Sequence, residues 1–225
     1  MYYEAIMESQ LLTAQELDQH VKNGTFRLAF VGMSNAGKSY RSEVLRDELG
    51  FIWFQVDADI QKNLGFQTMA EISSWLGYPT SEGYGEREAE YLRLENLATR
   101  HASMKTEGKN LVFDTTGSVA HMEEETLTVL KDNCLVVHLD VGEDSLEEVI
   151  ERFFLKPKPV AWCGYLTRED GETDEQALRR CYPALLRDRL ATYRSLAHVT
   201  VPAKEVRDTS ADETLGVIKK YLEKV

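Results

Sequence analysis

Apolar residues along this chain fall into two alternating spacings. Short unbroken runs of strand length occur at residues 27–31, 51–56, 110–113 and 134–139, with a weaker fifth at 198–201. Between them, apolar positions recur with helical spacing over residues 37–49, 88–104, 121–131, 145–154, 175–196 and 211–224. Thr13-Ala14-Gln15-Glu16 has the form of a capping box and Gly24 supplies a stop, which predicts a further helix over 14–22, ahead of the core. Gly50 ends the helix that opens at Gly37 in the same way. Strands alternating with helices predict an α/β fold: one five-stranded, mostly parallel sheet with helices on both faces, its ligands bound beyond the carboxyl ends of the strands. Residues 1–25 are expected to form an N-terminal helical extension and residues 26–225 the domain itself. Two polar stretches, 77–85 and 156–173, interrupt the alternation, and the second is expected to form a lid over about residues 155–174.

Length and charge narrow the function classes. A chain of 225 residues suits one α/β domain with its own core. No stretch of about 18 apolar residues could cross a bilayer, and the opening Met-Tyr-Tyr-Glu-Ala lacks a secretion signal's basic-then-apolar pattern, so a cytoplasmic location is expected. The formal charge of −12 opposes attraction to nucleic acid or an anionic membrane, and neither is expected as a partner. Cys134, Cys163 and Cys181 are odd in number and widely spaced, which points to packing or surface thiols. The five histidines show no metal-ligand spacing. A monomer acting on a small molecule is the expectation.

The strongest chemical signal is Gly32-Met33-Ser34-Asn35-Ala36-Gly37-Lys38-Ser39, a complete Walker A sequence placed after an apolar strand and at the start of a helix. Its glycines let backbone N–H groups turn toward a β-phosphate, and the helix N-terminus adds positive potential. Lys38 reaches the β/γ oxygens and the Ser39 hydroxyl ligands Mg²⁺ in this arrangement. Gly32, Ser34, Asn35, Ala36, Gly37, Lys38, Ser39 and the following Tyr40 are the candidate ATP-binding residues. ATP and Mg²⁺ are the expected cofactors, and the fold is that of a P-loop NTPase.

Two carboxylates are expected beside this cradle. Asp57 is read as closing the second strand, and Asp114-Thr115-Thr116-Gly117 closes the strand over 110–113. A transferring kinase needs a group that orients or deprotonates the acceptor hydroxyl and a carboxylate associated with the metal. Capping of a following helix is the ordinary alternative for either acid, and more so for Asp59.

At these residues the chain resembles the shikimate kinases, over most of residues 27–205. Members of that family end their second strand in Asp-x-Asp, which falls here on Gln55 and Asp57, with Ile60 and Gly65 also fitting. The resemblance implies that Asp57 is the catalytic, substrate-contacting carboxylate, and leaves Asp114 as the candidate to replace the metal-associated acid lost at Gln55. The family's Gly-Gly-Gly corresponds to Thr116-Gly117-Ser118, keeping Gly117 as a substrate contact. Glu90-Tyr91-Leu92-Arg93-Leu94-Glu95 resembles the Phe-Arg-x-x-Glu helix, with the substrate-carboxylate arginine replaced by Leu92. Arg93 is the nearest arginine, about 100° around the helix. Arg189-Leu190-Ala191-Thr192-Tyr193 resembles Arg-x-Pro-Leu-Tyr and keeps the second substrate arginine as Arg189. The lid's Arg-Pro appears as Lys158-Pro159 or Lys156-Pro157. With half of the carboxylate clamp gone, an acceptor other than shikimate is expected.

Other readings remain open on the residues alone. Gluconate- and nucleoside-type kinases share the machinery. A switch GTPase would also carry Asp114-x-x-Gly117, but no Asn-Lys-x-Asp or Thr-Lys-x-Asp reads guanine. A regulator that binds nucleotide without turning it over is the third. His121, just beyond the Thr116–Ser118 turn, is either an ordinary loop histidine or a residue facing the substrate.

Overall fold

A computed structural model of the chain describes residues 12–142, 145–155 and 159–224. The five apolar runs are strands: β1 Arg27–Val31, β2 Ile52–Gln55, β3 Leu111–Asp114, β4 Leu135–Asp140 and β5 Val199–Pro202. They pair in parallel throughout, in the order β2-β3-β1-β4-β5. Burial follows this order. The inner strands β1, β3 and β4 are buried almost throughout, while the edge strands β2 and β5 are only half covered, in keeping with the weaker signal at 198–201.

The helices are α1 Ala14–Asn23, α2 Lys38–Leu49, α3 Val56–Leu64, α4 Met69–Leu76, α5 Tyr84–Thr99, α6 Glu124–Asn133, α7 Leu146–Leu155, α8 Asp174–Leu196 and α9 Ala211–Leu222. Thr13, Thr68, Thr173 and Ser210 each close a capping box at the head of α1, α4, α8 and α9, so the starts of these helices are written locally. One core cluster packs Ala29, Phe113 and Val136 with α3, α4, α5 and α8; the other packs Leu28, Phe30 and Val137 with α1, α2 and α9. Leu17 of α1 is fully buried in the second cluster, and Asp18 pairs with Lys219 of α9 at 2.8 Å. The described part of the expected extension is thus packed into the domain.

Several expectations are corrected here. Residues 56–76 hold two helices, α3 and α4, where only the end of a strand is expected, so Asp57 sits in the first turn of a helix rather than closing β2. The strand stops at Gln55 because Val56 and Ile60, one helical turn apart, are both buried under α5. Helix α5 opens four residues early, at Tyr84, and ends in a 3₁₀ turn over Arg100–Ser103. Residues 117–121 form a 3₁₀ segment separate from α6. The two lid candidates Lys156 and Lys158 lie outside the described residues. Beyond them, Ala161 and Trp162 are buried in the core.

Candidate active site

The central strand β1 leads into the phosphate-binding loop, and its geometry depends on particular residues. Gly32 has φ 142°, and a Cβ placed there would stand 2.8 Å from the carbonyl oxygen of Leu139 on β4. A side chain would therefore force β1 and β4 apart. Asn35 takes a left-handed φ of 66°, a conformation its side chain tolerates better than most. Gly37, at φ 94°, caps α2 without contributing a side chain, so the first turn of α2 presents its N–H groups to the space in front of it. Lys38 is buried, and its Nζ donates to the carbonyls of Gly32 (2.8 Å) and Met33 (3.1 Å), folding back across the loop. That space is a cavity of about 660 Å³, bordered by Ser34, Asn35, Gly37, Lys38, Ser39 and Tyr40. Gly32 and Ala36 shape the loop from behind, Ala36 packing into the core under α2.

The two acids stand differently toward this cavity: Asp57 is among its bordering residues, while at the end of β3 it is Thr115, the residue after Asp114, that borders it. β3 neighbours β1 directly, and Asp114 stands in register with Phe30 of β1 on one side and Gln55 of β2 on the other. It is buried at the strand's end, where the Thr115 hydroxyl that follows donates to the carbonyl of Phe30 at 2.8 Å. β2 is an edge strand separated from β1 by β3. Asp57 borders the cavity because α3 begins immediately after β2. Asp59 accepts from Asn63 at 3.2 Å within α3.

The far end of the cavity is built by α5, α8 and the 116–121 turn. Glu95 of α5 is fully buried, and its carboxylate accepts the hydroxyls of Thr116 and of Ser118 (2.6 Å). Burial pushes its carboxyl up from 4.5 to about 7; the Ser118 and Thr116 hydroxyls pull it down and the charge of Asp57 adds to the rise. Tyr91, one turn earlier on α5, lines the cavity with its phenol pushed well up by burial. Tyr193 of α8 donates its hydroxyl to the carbonyl of Gly117. Arg189, also on α8, is buried; its Nη2 donates to the carbonyl of Ala161 at 2.7 Å and its Nε to His121 Nε2 at 3.2 Å.

Most of the expected site residues are gathered, but Asp114 is buried at the end of β3 and is not among the residues that border the cavity. Asp57, Gly117 and Arg189 border the same cavity as Lys38 and Ser39. Arg93 does not: it is exposed on the outer face of α5 and pairs with Glu90 at 2.6 Å, as its position around the helix from Leu92 dictates. Leu92 itself packs against the core. The sequence does not single out Glu95, Tyr91 or Glu88, because the hydroxyls that Glu95 meets lie on a turn 21 and 23 residues away and come to it only in the fold.

The family model described as shikimate kinase matches residues 34–219. The shikimate kinase of Bacteroides thetaiotaomicron superposes with a TM-score of 0.58 at 18% identity, covering 88% of this chain and 98% of that one. The shikimate kinase of Acinetobacter baumannii, in complex with shikimate, gives 0.58 at 21% identity, covering 87% and 92%. That of Aquifex aeolicus gives 0.52 at 18% identity, covering 88% and 96%. Among curated proteins, none matches.

Proposed function

The chain belongs to the shikimate kinase family, and on that premise we propose that it transfers the γ-phosphoryl group of ATP to a hydroxyl of a small molecule other than shikimate. The observation that carries this reading is the single cavity in which a phosphate-binding loop, an acid on α3 and a buried arginine on α8 face one space. Positioning and electrostatics account for most of the catalysis in phosphoryl transfer, and the lining supplies both. Lys38 and the N–H groups at the head of α2 hold the β- and γ-phosphates. Asp57 orients the acceptor hydroxyl and accepts its proton. Arg189 and the turn around Gly117 fix the rest of the acceptor.

The residues present fit a magnesium-bound nucleotide. Ser39 at the helix start and Asp114 at the end of the adjacent strand are hard oxygen donors of the kind Mg²⁺ takes, and we assign the metal to them. Bound there, Mg²⁺ would neutralise phosphate charge.

Leu92 decides the acceptor. Where the family's pattern has an arginine for the substrate carboxylate, this chain has an apolar side chain packed against the core, and Arg93 faces outward. The Thr116 and Ser118 hydroxyls, standing where the family's pattern has glycines, satisfy Glu95 without a cation from α5. An acceptor held by one arginine, carrying at most one anionic group and several hydroxyls, suits this lining. The net charge and the small cavity favour a small molecule over nucleic acid or a membrane, and we propose a cytoplasmic monomer.

The test is Mg²⁺- and ATP-dependent ADP release against shikimate, gluconate, neutral sugars and polyols, hydroxy-amino acids and nucleosides, with GTP as a parallel donor. Stimulation by one acceptor class other than shikimate supports the reading. Shikimate turned over as the preferred acceptor refutes the part resting on Leu92, and ATP binding without any stimulation refutes the kinase.

A further inference from the structure

Arg189 is a buried guanidinium whose hydrogen-bond acceptors among the described residues, the Ala161 carbonyl and His121, are neutral. Its Nη2 donates to the Ala161 carbonyl and its Nε to His121 Nε2, so the side-on edge of the fork is filled by protein. A buried positive charge is costly unless its donors meet acceptors or an anion. The third nitrogen, Nη1, lies against the turn at Gly117: a Cβ placed on that glycine would come within 3.5 Å of it. Gly117 and Arg189 both border the cavity. The direction of the guanidinium is thus set from behind, and its remaining donors face the acceptor end.

Both groups that set this direction are themselves fixed. Ala161 precedes two backbone N–H groups, of Trp162 (2.5 Å) and Cys163 (2.9 Å), that converge on Glu88 Oε1 from α5. The Tyr84 hydroxyl donates to the same oxygen at 2.6 Å. Cys163 adopts a left-handed φ of 51° to bring its N–H there, a strained conformation that the carboxylate holds. His121 closes the 3₁₀ segment after the Gly117 turn, with Nδ1 3.9 Å from Asp188 Oδ2 and its ring beside Tyr165. Arginine can only donate, so Nε2 of His121 carries a lone pair and the ring's single proton sits on Nδ1, toward Asp188. Burial, and then the charge of Arg189, push the ring down to about 4, keeping it neutral at ordinary pH.

We propose that His121 is a positioning residue for the acceptor site: as a neutral acceptor it aims Arg189 at the acceptor without neutralising the charge that must act there. The proposal rests on the kinase reading above and adds to it a residue outside the phosphate-binding and acid machinery. A carboxylate in the same place would also orient the fork, but it would quench the guanidinium with a direct ion pair. Asp188 stands on the far side of the imidazole, so the ring separates acid from arginine.

Two measurements on the full chain test this. The first needs no acceptor: ¹⁵N NMR of protein labelled at histidine and arginine side chains. The expected result is a His121 ring in the Nδ1–H tautomer at pH 7 and an Arg189 Nε–H signal protected from exchange, which His121→Ala loses. A His121 ring protonated on Nε2, or an Arg189 signal indifferent to His121→Ala, overturns the contact. The second is steady-state kinetics with the acceptor that the panel above identifies. His121→Ala should raise the acceptor KM by about tenfold with the ATP KM unchanged, the loss expected for one misdirected charged hydrogen bond. His121→Gln, whose amide oxygen can accept the same N–H, should return the acceptor KM to within about threefold of the native value. An unchanged acceptor KM in His121→Ala, or equal defects in the alanine and glutamine variants, overturns the positioning role. A panel with no turnover would sink the kinase reading, while the NMR result would still uphold or overturn the orientation of Arg189.

Discussion

Replacing Glu95 with glutamine should make the protein more stable than the native chain at pH 8 while leaving it little changed at pH 4.5. Glu95 is fully buried, and its carboxyl stands at about 7 in the fold against 4.5 for an exposed glutamate. The folded state therefore binds the proton more tightly than the unfolded chain. The contribution to stability is fully present below pH 4.5 and is lost as pH rises through 7. A shift of that size amounts to on the order of 3 kcal/mol. Glutamine cannot ionise, so the variant escapes this loss. Its amide also keeps one oxygen to accept a hydroxyl from Thr116 or Ser118, and the hydroxyl facing the NH₂ can turn to accept. The fixed difference between the two chains should stay near about 1 kcal/mol. The assay is urea denaturation of both proteins at intervals from pH 4.5 to 8.5, read as the difference in unfolding free energy at each pH. A difference that moves by about 3 kcal/mol in favour of Glu95→Gln across this range is the expected result. A difference independent of pH would mean that Glu95 is not a raised, buried acid, and the charge arrangement drawn for the acceptor end would fall with it.

Other consequences follow from the same geometry. Gly32→Ala should cost about 1–3 kcal/mol in urea denaturation, since its Cβ would meet the Leu139 carbonyl at a φ that L-residues avoid; a neutral effect would contradict the close approach of loop and β4. Asp57→Asn should leave ATP binding, measured by calorimetry, nearly unchanged while lowering kcat by about 10²- to 10⁴-fold, and an active variant would remove Asp57 from proton transfer. Asp114→Asn should raise the Mg²⁺ concentration needed for half-maximal rate, and an unaltered metal dependence would refute its assignment.

Much of this was legible in the sequence because the signals were local. Strands β1, β3 and β4 are continuous apolar runs, since helices cover both faces of the sheet there. The Walker A residues announce both the loop and the strand–helix context that it needs. Helices α3 and α4 are not legible in the apolar spacing because each is short, nine and eight residues. Yet the capping box at Thr68 and Glu71 marked the start of α4, and Gly65 and Gly77 marked both ends. The sheet order was not legible, so the route by which Asp57 reaches the cavity could not be anticipated: it comes from the first turn of a helix that follows an edge strand. Arg189 was found through its motif, whereas its partners His121 and Ala161 are 68 and 28 residues away and meet it only in the fold. Glu95 ended a motif that drew attention to the arginine missing at Leu92, and its hydroxyl partners on a distant turn gave it no local signature.

The central claim is that phosphate passes from ATP to an acceptor oxygen. Phosphorus NMR of the reaction mixture tests it most directly, with the native chain and Lys38→Ala each incubated with Mg²⁺, ATP and the stimulating acceptor. The account predicts that the native chain converts the γ-phosphate signal into a phosphomonoester of the acceptor, and that Lys38→Ala, folded by circular dichroism, does not. Inorganic phosphate as the sole product of the native chain, or a phosphomonoester formed equally well by Lys38→Ala, would contradict it.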